Sequence, residues 1–389
     1  RFAFCFPDVY EVGMSHLGTR ILYHTINERK DTYCERVFAP WPDMEEQLRK
    51  NNISLCTLET KTPLKEFDIL GFTLQYEMSY TNILNMLDMS GVTIRAEERG
   101  EDEPLVMAGG PCAYNPEPLV GIVDFFEIGE GEEMMDDVLG VYAKYKKGKW
   151  DKKAFLREIS KIGGIYVPSL YDVEYNEDGT IKSFKPKYDD VPAVVKKRII
   201  NNFDRVSFPE NMIVPYTEIV HDRIVLETFR GCTNGCRFCQ AGMIYRPVRE
   251  KSKETLVKQA RNMLKSTGYQ EVSLSSLSTC DYSDIEGLIH DLMEEHEKDK
   301  VAIALPSIRV DAFSVDLIKE IQKVKKTGLT FAPEAGSQRM RDIINKGLTE
   351  ERILEATRNA FESGWNKIKL YFIIGLPYET LRSEEHTTE

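Results

Sequence analysis

The sequence is short of positive charge and of long apolar runs. Its 51 Lys and Arg stand against 63 Asp and Glu, a formal net charge of −12. A dedicated nucleic-acid binder carries a basic face. The acidic balance does not indicate one, though it leaves room for a local basic patch. No stretch approaches the roughly 20 apolar residues that span a bilayer, and no signal-peptide pattern is visible, so no membrane is expected as a partner. Cysteine is sparse as well, 8 among 389 residues. Cys5, Cys34, Cys56, Cys112 and Cys280 stand singly, mostly in apolar runs, which suits reduced thiols better than a disulfide framework. These absences predict a cytoplasmic protein in a reducing, oxygen-poor setting. Apolar residues are plentiful at 42%, too many for a disordered chain. The length predicts two or three domains.

The other three cysteines fall together. In Arg230-Gly231-Cys232-Thr233-Asn234-Gly235-Cys236-Arg237-Phe238-Cys239 they are spaced C-x3-C-x2-C, and the strand-like run Ile224-Val225-Leu226-Glu227-Thr228-Phe229 leads into them. Three thiolates on one short loop suit three irons of a [4Fe–4S] cube, which leaves the fourth iron for a small molecule. Gly231 and Gly235 let the backbone curl around it. Zinc is a competing reading. Structural zinc takes four closed ligands, commonly from two paired clusters. Here no second cluster is present, and His221 is the nearest candidate fourth ligand. A chance grouping of buried thiols is the remaining alternative.

Upstream, strand-like runs at 1–6, 34–38, 53–58, 67–73, 105–108 and 123–128 alternate with helical spacing at 17–26, 43–50, 80–89 and 132–147. That alternation predicts a parallel sheet covered on both faces, with ligands at the carboxyl ends of its strands. Glycines cluster at those ends: Gly13 after the first strand, Gly71 before Thr73, Gly109-Gly110-Pro111, and Gly129-Glu130-Gly131-Glu132. They would let a large flat ligand approach the backbone, and ordinary strand-to-helix turns use the same residues. Residues 144–153 read as a solvated lysine-rich helix end and linker. A hairpin turning at Asp178-Gly179 follows, then a further strand at 194–200. Past the cysteines, helices are predicted near 253–265, 284–295, 315–324, 337–345 and 349–362. Strands are predicted at 271–275, 301–305, 329–331 and 369–373. With the strand before the cysteines, these make five strand–helix repeats. The chain opens at Arg1 in a strand-like run without methionine, and 381–389 has no pattern. The expectation is a fragment with a truncated or non-native tail.

The C-x3-C-x2-C spacing after a strand, with the aromatic Phe238 before the last cysteine, resembles the signature of the radical S-adenosylmethionine (SAM) superfamily. The resemblance implies a [4Fe–4S] cluster on Cys232, Cys236 and Cys239, with SAM chelating the open iron. It also implies a reductant such as flavodoxin or ferredoxin, and a 5′-deoxyadenosyl radical acting on an unknown substrate. The implied fold is a partial (β/α)6 TIM-type barrel, cut off here after about five strands, with its site at the carboxyl ends of the strands. On that frame SAM falls to Phe238, to Ser275 and Ser276 where the family often has G-G-E, to Ser307 and Arg309, to Glu334 and Arg339, and to Gly375. Arg309 or Arg339 would take the SAM carboxylate in a two-pronged bond, Glu334 the ammonium or ribose, and Gly375 the neighbourhood of the adenine. Any one of these is also an ordinary cap or surface position. Cys280 reads as a packed loop thiol.

The earlier half, with G-G-P and G-E-G-E in that order, resembles the cobalamin-binding-type Rossmann domain found ahead of many radical SAM domains. Gly13, Gly71, Gly109, Gly110, Gly129 and Gly131 are then the implied cobalamin contacts. The D-x-H-x-x-G pattern is missing: His16 stands two residues before Gly18 without the matching aspartate, so histidine ligation of cobalt is not implied. The run 333–341, with Asn345-Lys346-Gly347, also resembles radical SAM groups that include methylthiotransferases. The expected class is α/β: a Rossmann-like parallel sheet at 1–145, a connector with a small β element at 146–220, a radical SAM partial barrel at 221–380, and the tail. The expected function is a radical SAM enzyme, with methyl transfer to an unactivated carbon if a corrin sits between the domains. One alternative is a methylthiotransferase-like enzyme on RNA or protein, drawing a second cluster from Cys5, Cys34, Cys56 and Cys112. The other is a cobalamin- or cluster-binding sensor without turnover.

Overall fold

Phe2-Ala3-Phe4-Cys5-Phe6 is buried along its whole length. A strand apolar on both faces belongs inside a covered parallel sheet, and here it forms β1 (Phe2–Phe6) near one side of such a sheet. The partners are β2 (Cys34–Phe38), β3 (Ile69–Thr73), β4 (Leu105–Gly109), β5 (Phe125–Glu127) and β6 (Ile165–Tyr166), in the order β2-β1-β3-β4-β5-β6. All neighbours pair parallel except β5 with β6. The first five strands follow a doubly wound order whose direction reverses between β1 and β3, and such sheets hold ligands at the carboxyl ends beside that reversal.

The computed structural model describes residues 1–305 and 329–382. The chain divides into two units: Arg1–Asn202 with Val206–Pro209 and Ile213–His221, and Phe203–Arg205 with Glu210–Met212 and Asp222–Glu389. In the first unit, helices Leu17–Asn27, Pro42–Lys50, Tyr80–Ser90 and Gly131–Lys147 fall where helical spacing predicts them. The lysine-rich stretch behaves less simply. One helix ends at Lys147, and another, Lys152–Ile159, starts on an Asp151 cap whose carboxylate accepts from Ala154 N–H at 2.9 Å. It buries Phe155, Leu156 and Ile159. A hairpin of β7 (Tyr171–Tyr175) and β8 (Ile181–Pro186) follows.

Two predicted strands do not form. Residues 53–58 make only an isolated bridge, Cys56 to Pro63. The polar end of the run wraps a buried carboxylate instead: Thr57 and Thr60 hydroxyls donate to Glu35 Oε2 at 2.6 and 2.7 Å. Such side-chain bonds compete with strand pairing. Residues 194–200 pair at one point, Arg198 with Gly129, because the chain then turns so that Ile200 N–H donates to the Glu130 side chain at 2.5 Å.

In the second unit, β9 (Ile224–Glu227) is followed by β10 (Phe229–Arg230), β11 (Arg249–Glu250), β12 (Glu271–Ser275), β13 (Ala302–Ala304), β14 (Leu329–Glu334) and β15 (Ile368–Phe372). Strands β13-β12-β9 form one parallel sheet, β14-β15 a second parallel pair, and β10-β11 an antiparallel pair. Helices Lys253–Thr267, Ile285–His296, Gln338–Ile343 and Glu350–Glu362 alternate with them. Among the described residues no pairing joins β13 to β14, so a closed barrel is not formed by these strands. The predicted helix at 315–324 lies outside the described residues. The single strand expected at 224–229 breaks at Thr228, whose N–H donates to the Ser275 carbonyl at 3.0 Å while its own carbonyl accepts from Lys251 N–H at 2.9 Å. That break turns the chain from β12 toward β11. Among the described residues no helix is long and apolar enough to cross a membrane.

Candidate active site

The three clustered cysteines lie on the loop that leaves β10 and returns through β11. Its base is tight. Gly231 has φ +93, and a Cβ there would stand 2.7 Å from the Pro247 carbonyl oxygen, so a side chain has no room. Arg230 grips Glu227 with two bonds of 2.8 and 3.0 Å, and its guanidinium lies 4.7 Å from the Phe203 ring centre. Burial alone would raise the Glu227 carboxyl; the Arg230 charge beside it holds it below its ordinary value.

Cys232, Cys236 and Cys239 are each partly exposed, and none is in a disulfide. The Asn234 amide donates to Cys232 Sγ at 3.3 Å, and Gly242 N–H donates to Cys239 Sγ at 3.3 Å. Among the described residues no three His, Cys, Asp or Glu side chains converge on a single ion. A cube takes each thiolate on a different iron, so its ligands stand apart, and N–H donors on the sulfurs are among the groups that tune such clusters. The donor set on this loop fits a cube. Three of the other thiols, Cys5, Cys34 and Cys112, are buried. Burial pushes the Cys5 and Cys34 thiols up, and Cys112 up to about 11.

The strand ends carry the other predicted residues. At the end of β12, the Ser275 carbonyl is taken by Thr228, and the Ser276 hydroxyl donates to Thr279 Oγ1 at 3.2 Å. Glu334 ends β14 with φ +67, a left-handed conformation uncommon for such a residue and one that collects at functional sites. Its Oε1 lies 3.2 Å from Lys346 Nζ. That ammonium also stands 5.9 Å from the centre of the Phe238 ring, which is 39% exposed. Arg339 donates to the Tyr378 carbonyl at 3.0 Å, and Glu379 Oε2 accepts from the N–H groups of Gly375 and Leu376 at 2.6 and 3.0 Å. Phe238 and Glu334 are thus joined through Lys346, while Arg339 and Gly375 share the turn after β15. Ser307 and Arg309 lie outside the described residues. Sequence reasoning gave no role to Glu227, Asn345 or Lys346. The triplet Asn345-Lys346-Gly347 was the one available signal for the last two.

In the first unit the space beside Gly13 and Gly71 is filled by rings: a Cβ would meet Phe38 at 2.3 Å and Phe2 at 2.4 Å. A Cβ on Gly110 would meet the Leu74 carbonyl at 2.8 Å, and one on Gly129 the Arg198 carbonyl at 2.3 Å. Cβ atoms on Gly109 and Gly131 would meet Glu127 Cβ at 3.4 Å and Leu22 at 3.3 Å. His16 caps the helix Leu17–Asn27, its Nδ1 accepting from Thr19 N–H at 3.2 Å, and burial lowers it to about 4. Glu127, at the end of β5, is 4% exposed. Burial, then the Glu132 charge, pushes it up to about 8, and its Oε1 meets no hydrogen-bonding partner among the described residues.

Residues 226–389 match the family model of the radical SAM superfamily, and residues 18–168 match the model for the N-terminal part of radical SAM proteins. The chain belongs to the radical SAM superfamily. An uncharacterised protein of Methanocaldococcus jannaschii is 28% identical over 389 residues, covering 97% of this chain and 70% of that one. A protein of Pyrococcus horikoshii named an uncharacterised methyltransferase is 23% identical over 333 residues, 83% of this chain and 64% of its own. Among solved structures, the cobalamin-dependent SAM radical enzyme OxsB, with aqua-cobalamin and SAM bound, shares the fold at a TM-score of 0.66 and 17% identity. The match covers 99% of this radical SAM chain and 51% of OxsB, so the chain spans about half that protein's length.

Proposed function

We propose that the chain carries a radical SAM active site in which Cys232, Cys236 and Cys239 hold a [4Fe–4S] cluster. The observation behind this is the partly exposed cysteine loop, with N–H donors on two of its sulfurs. When bound and reduced by a flavodoxin- or ferredoxin-type donor, the cluster would supply the electron that splits SAM into methionine and a 5′-deoxyadenosyl radical. Phe238, Ser275, Ser276, Glu334, Arg339 and Gly375 would bind and orient the nucleotide, joined by Ser307 and Arg309. Glu334 offers its carboxylate to the ammonium or ribose, and Lys346 holds that carboxylate in place. The family's partial barrel is the architecture we infer for this unit.

For the first unit we infer cobalamin binding at the carboxyl ends of its strands. The doubly wound order supports this, as does the fold shared with OxsB. Gly109, Gly110, Gly129 and Gly131 would line that edge, with Gly13 and Gly71 shaping the strands behind it. A bound corrin would supply a methyl carrier, and methyl transfer is then the reaction, on a substrate still to be found. A methylthiotransferase-like second cluster is disfavoured, because Cys5 and Cys34 are buried thiols in neighbouring strands.

Anaerobic reconstitution of the full chain, followed by SAM and dithionite, tests the reading. About four irons per chain and release of 5′-deoxyadenosine are expected, and Cys236→Ala abolishes both. An intact cluster that never cleaves SAM overturns the enzyme reading. About eight irons would favour the two-cluster alternative.

A further inference from the structure

The cysteine loop is held by a turn from elsewhere in its unit. The helix Gln338–Ile343 runs into Ile344, Asn345 and Lys346. Arg237 N–H donates to the Ile344 carbonyl at 2.9 Å, and the Arg237 guanidinium reaches the Ile343 carbonyl. The Asn345 amide donates to the Gly235 carbonyl at 3.0 Å and to the Asn234 carbonyl at 3.4 Å. These bonds fall on the backbone between Cys232 and Cys236 and just beyond it. Asn345 has φ +55, a conformation that Asn tolerates better than most residues.

Lys346 comes next, its N–H donating to the Arg341 carbonyl at 2.9 Å. Its side chain is 14% exposed, and the Glu334 side chain 15%. Charges so little exposed are weakly screened. Lys346 Nζ is the cation that neutralises Glu334, and it stands over Phe238, the residue before Cys239.

We propose that the Asn345-Lys346 turn is a positioning device for the cluster: Asn345 fixes the loop backbone, and Lys346 supplies the charge that keeps the cluster reducible. The inference rests on the proposed function for the presence of the cluster. Reduction adds negative charge to the cluster, and a nearby cation favours that state. Removing Lys346 does more than delete a positive charge. It leaves the Glu334 carboxylate uncompensated beside the loop, which lowers the potential further.

The test is the cluster midpoint potential, read by EPR-monitored redox titration of the full reconstituted chain without SAM. Lys346→Met is expected to lower it by about 59 mV, a tenfold shift in a one-electron equilibrium. Lys346→Arg keeps the charge and should stay near the unaltered value. Lys346→Met combined with Glu334→Gln removes both charges and should return toward it. A Lys346→Met cluster with unchanged potential overturns the role of Lys346. Asn345→Gly permits the left-handed backbone and removes the side chain with its amide; it should lose iron to a chelator several-fold faster. Equal rates overturn the role of Asn345. No [4Fe–4S] signal from the unaltered chain overturns the proposed function itself, a different outcome from either of these.

Discussion

Arg99 Nη1 and Asp124 Oδ2 meet at 2.5 Å with both side chains almost wholly removed from solvent. The pair is saturated. Arg99 also donates to the carbonyls of Thr93, Ile94 and Ile122, and Asp124 accepts from Val106 N–H on β4 and lies 3.0 Å from Lys152 Nζ. Removing Arg99 leaves Lys152 to offset Asp124 in part but strands three part-buried carbonyls, each at about 1–3 kcal/mol, together about the 3–5 kcal/mol of a broken buried pair. Arg99→Met should therefore lower the unfolding free energy of the first unit by that amount in a urea titration. A loss under about 1 kcal/mol, the size of an exposed pair, would show that Asp124 finds compensation elsewhere.

Glu127 predicts a pH dependence of the opposite sign to the usual carboxylate. Its folded value is raised to about 8 from an ordinary 4.5, by burial first and Glu132 second. Between those values the folded chain holds a proton that the unfolded chain has released. Stability then falls as pH rises through this window, by up to about 1.4 kcal/mol per pH unit. Glu127→Gln should flatten that slope, so the variant gains on the unaltered chain at pH 9 more than at pH 5. Parallel Tm profiles across that range would mean Glu127 is ionised in the fold.

Two glycines of one region should respond in opposite directions. Gly129 has φ +120, and a Cβ there would meet the Arg198 carbonyl oxygen at 2.3 Å and its nitrogen at 2.5 Å. Gly129→Ala should cost at least about 1–3 kcal/mol from backbone strain, before any displacement of Arg198. Gly140, inside the helix Gly131–Lys147, has nothing within 4 Å of a built Cβ. Gly140→Ala should stabilise by about 0.5–1 kcal/mol. Denaturant midpoints of the two variants, measured side by side, check the pair.

The strands of the first sheet were legible because β1, β3 and β4 are short, mainly apolar runs, which suit strands covered on both faces. The cysteine loop was legible because its three cysteines are within eight positions. What stayed hidden depends on distant contacts. Helix Lys152–Ile159 was masked by its lysines, although Phe155, Leu156 and Ile159 make its buried face. The run 53–58 has strand-like composition, but Glu35 claims its threonines. Lys346 and Asn345 gave little local signal, since their partners Phe238 and Gly235 lie more than a hundred positions earlier in the chain. Glu127 reads as an ordinary strand end; its raised proton affinity comes from burial that no local pattern records.

Arg341 is the last of these hidden residues, and its loss should separate folding from ligand binding. Its side chain is 2% exposed. The guanidinium donates to the carbonyls of Leu348, Ala335 and Gly336 at 2.9, 3.0 and 2.6 Å, and to Gln338 Oε1 at 3.0 Å. Ala335 and Gly336 directly follow Glu334, so Arg341 is what ties the strained end of β14 to the following helix. Arg341→Met keeps the bulk and strands three carbonyls. Each unsatisfied buried group costs about 1–3 kcal/mol, so a drop of about 3 kcal/mol in the second unit is expected. If Glu334 binds the nucleotide, SAM affinity should weaken beyond what the unfolded fraction explains, as calorimetry below the unfolding transition can read. Loss of stability with unchanged SAM affinity in the folded fraction would make Arg341 a purely structural knot and would place the nucleotide away from Glu334.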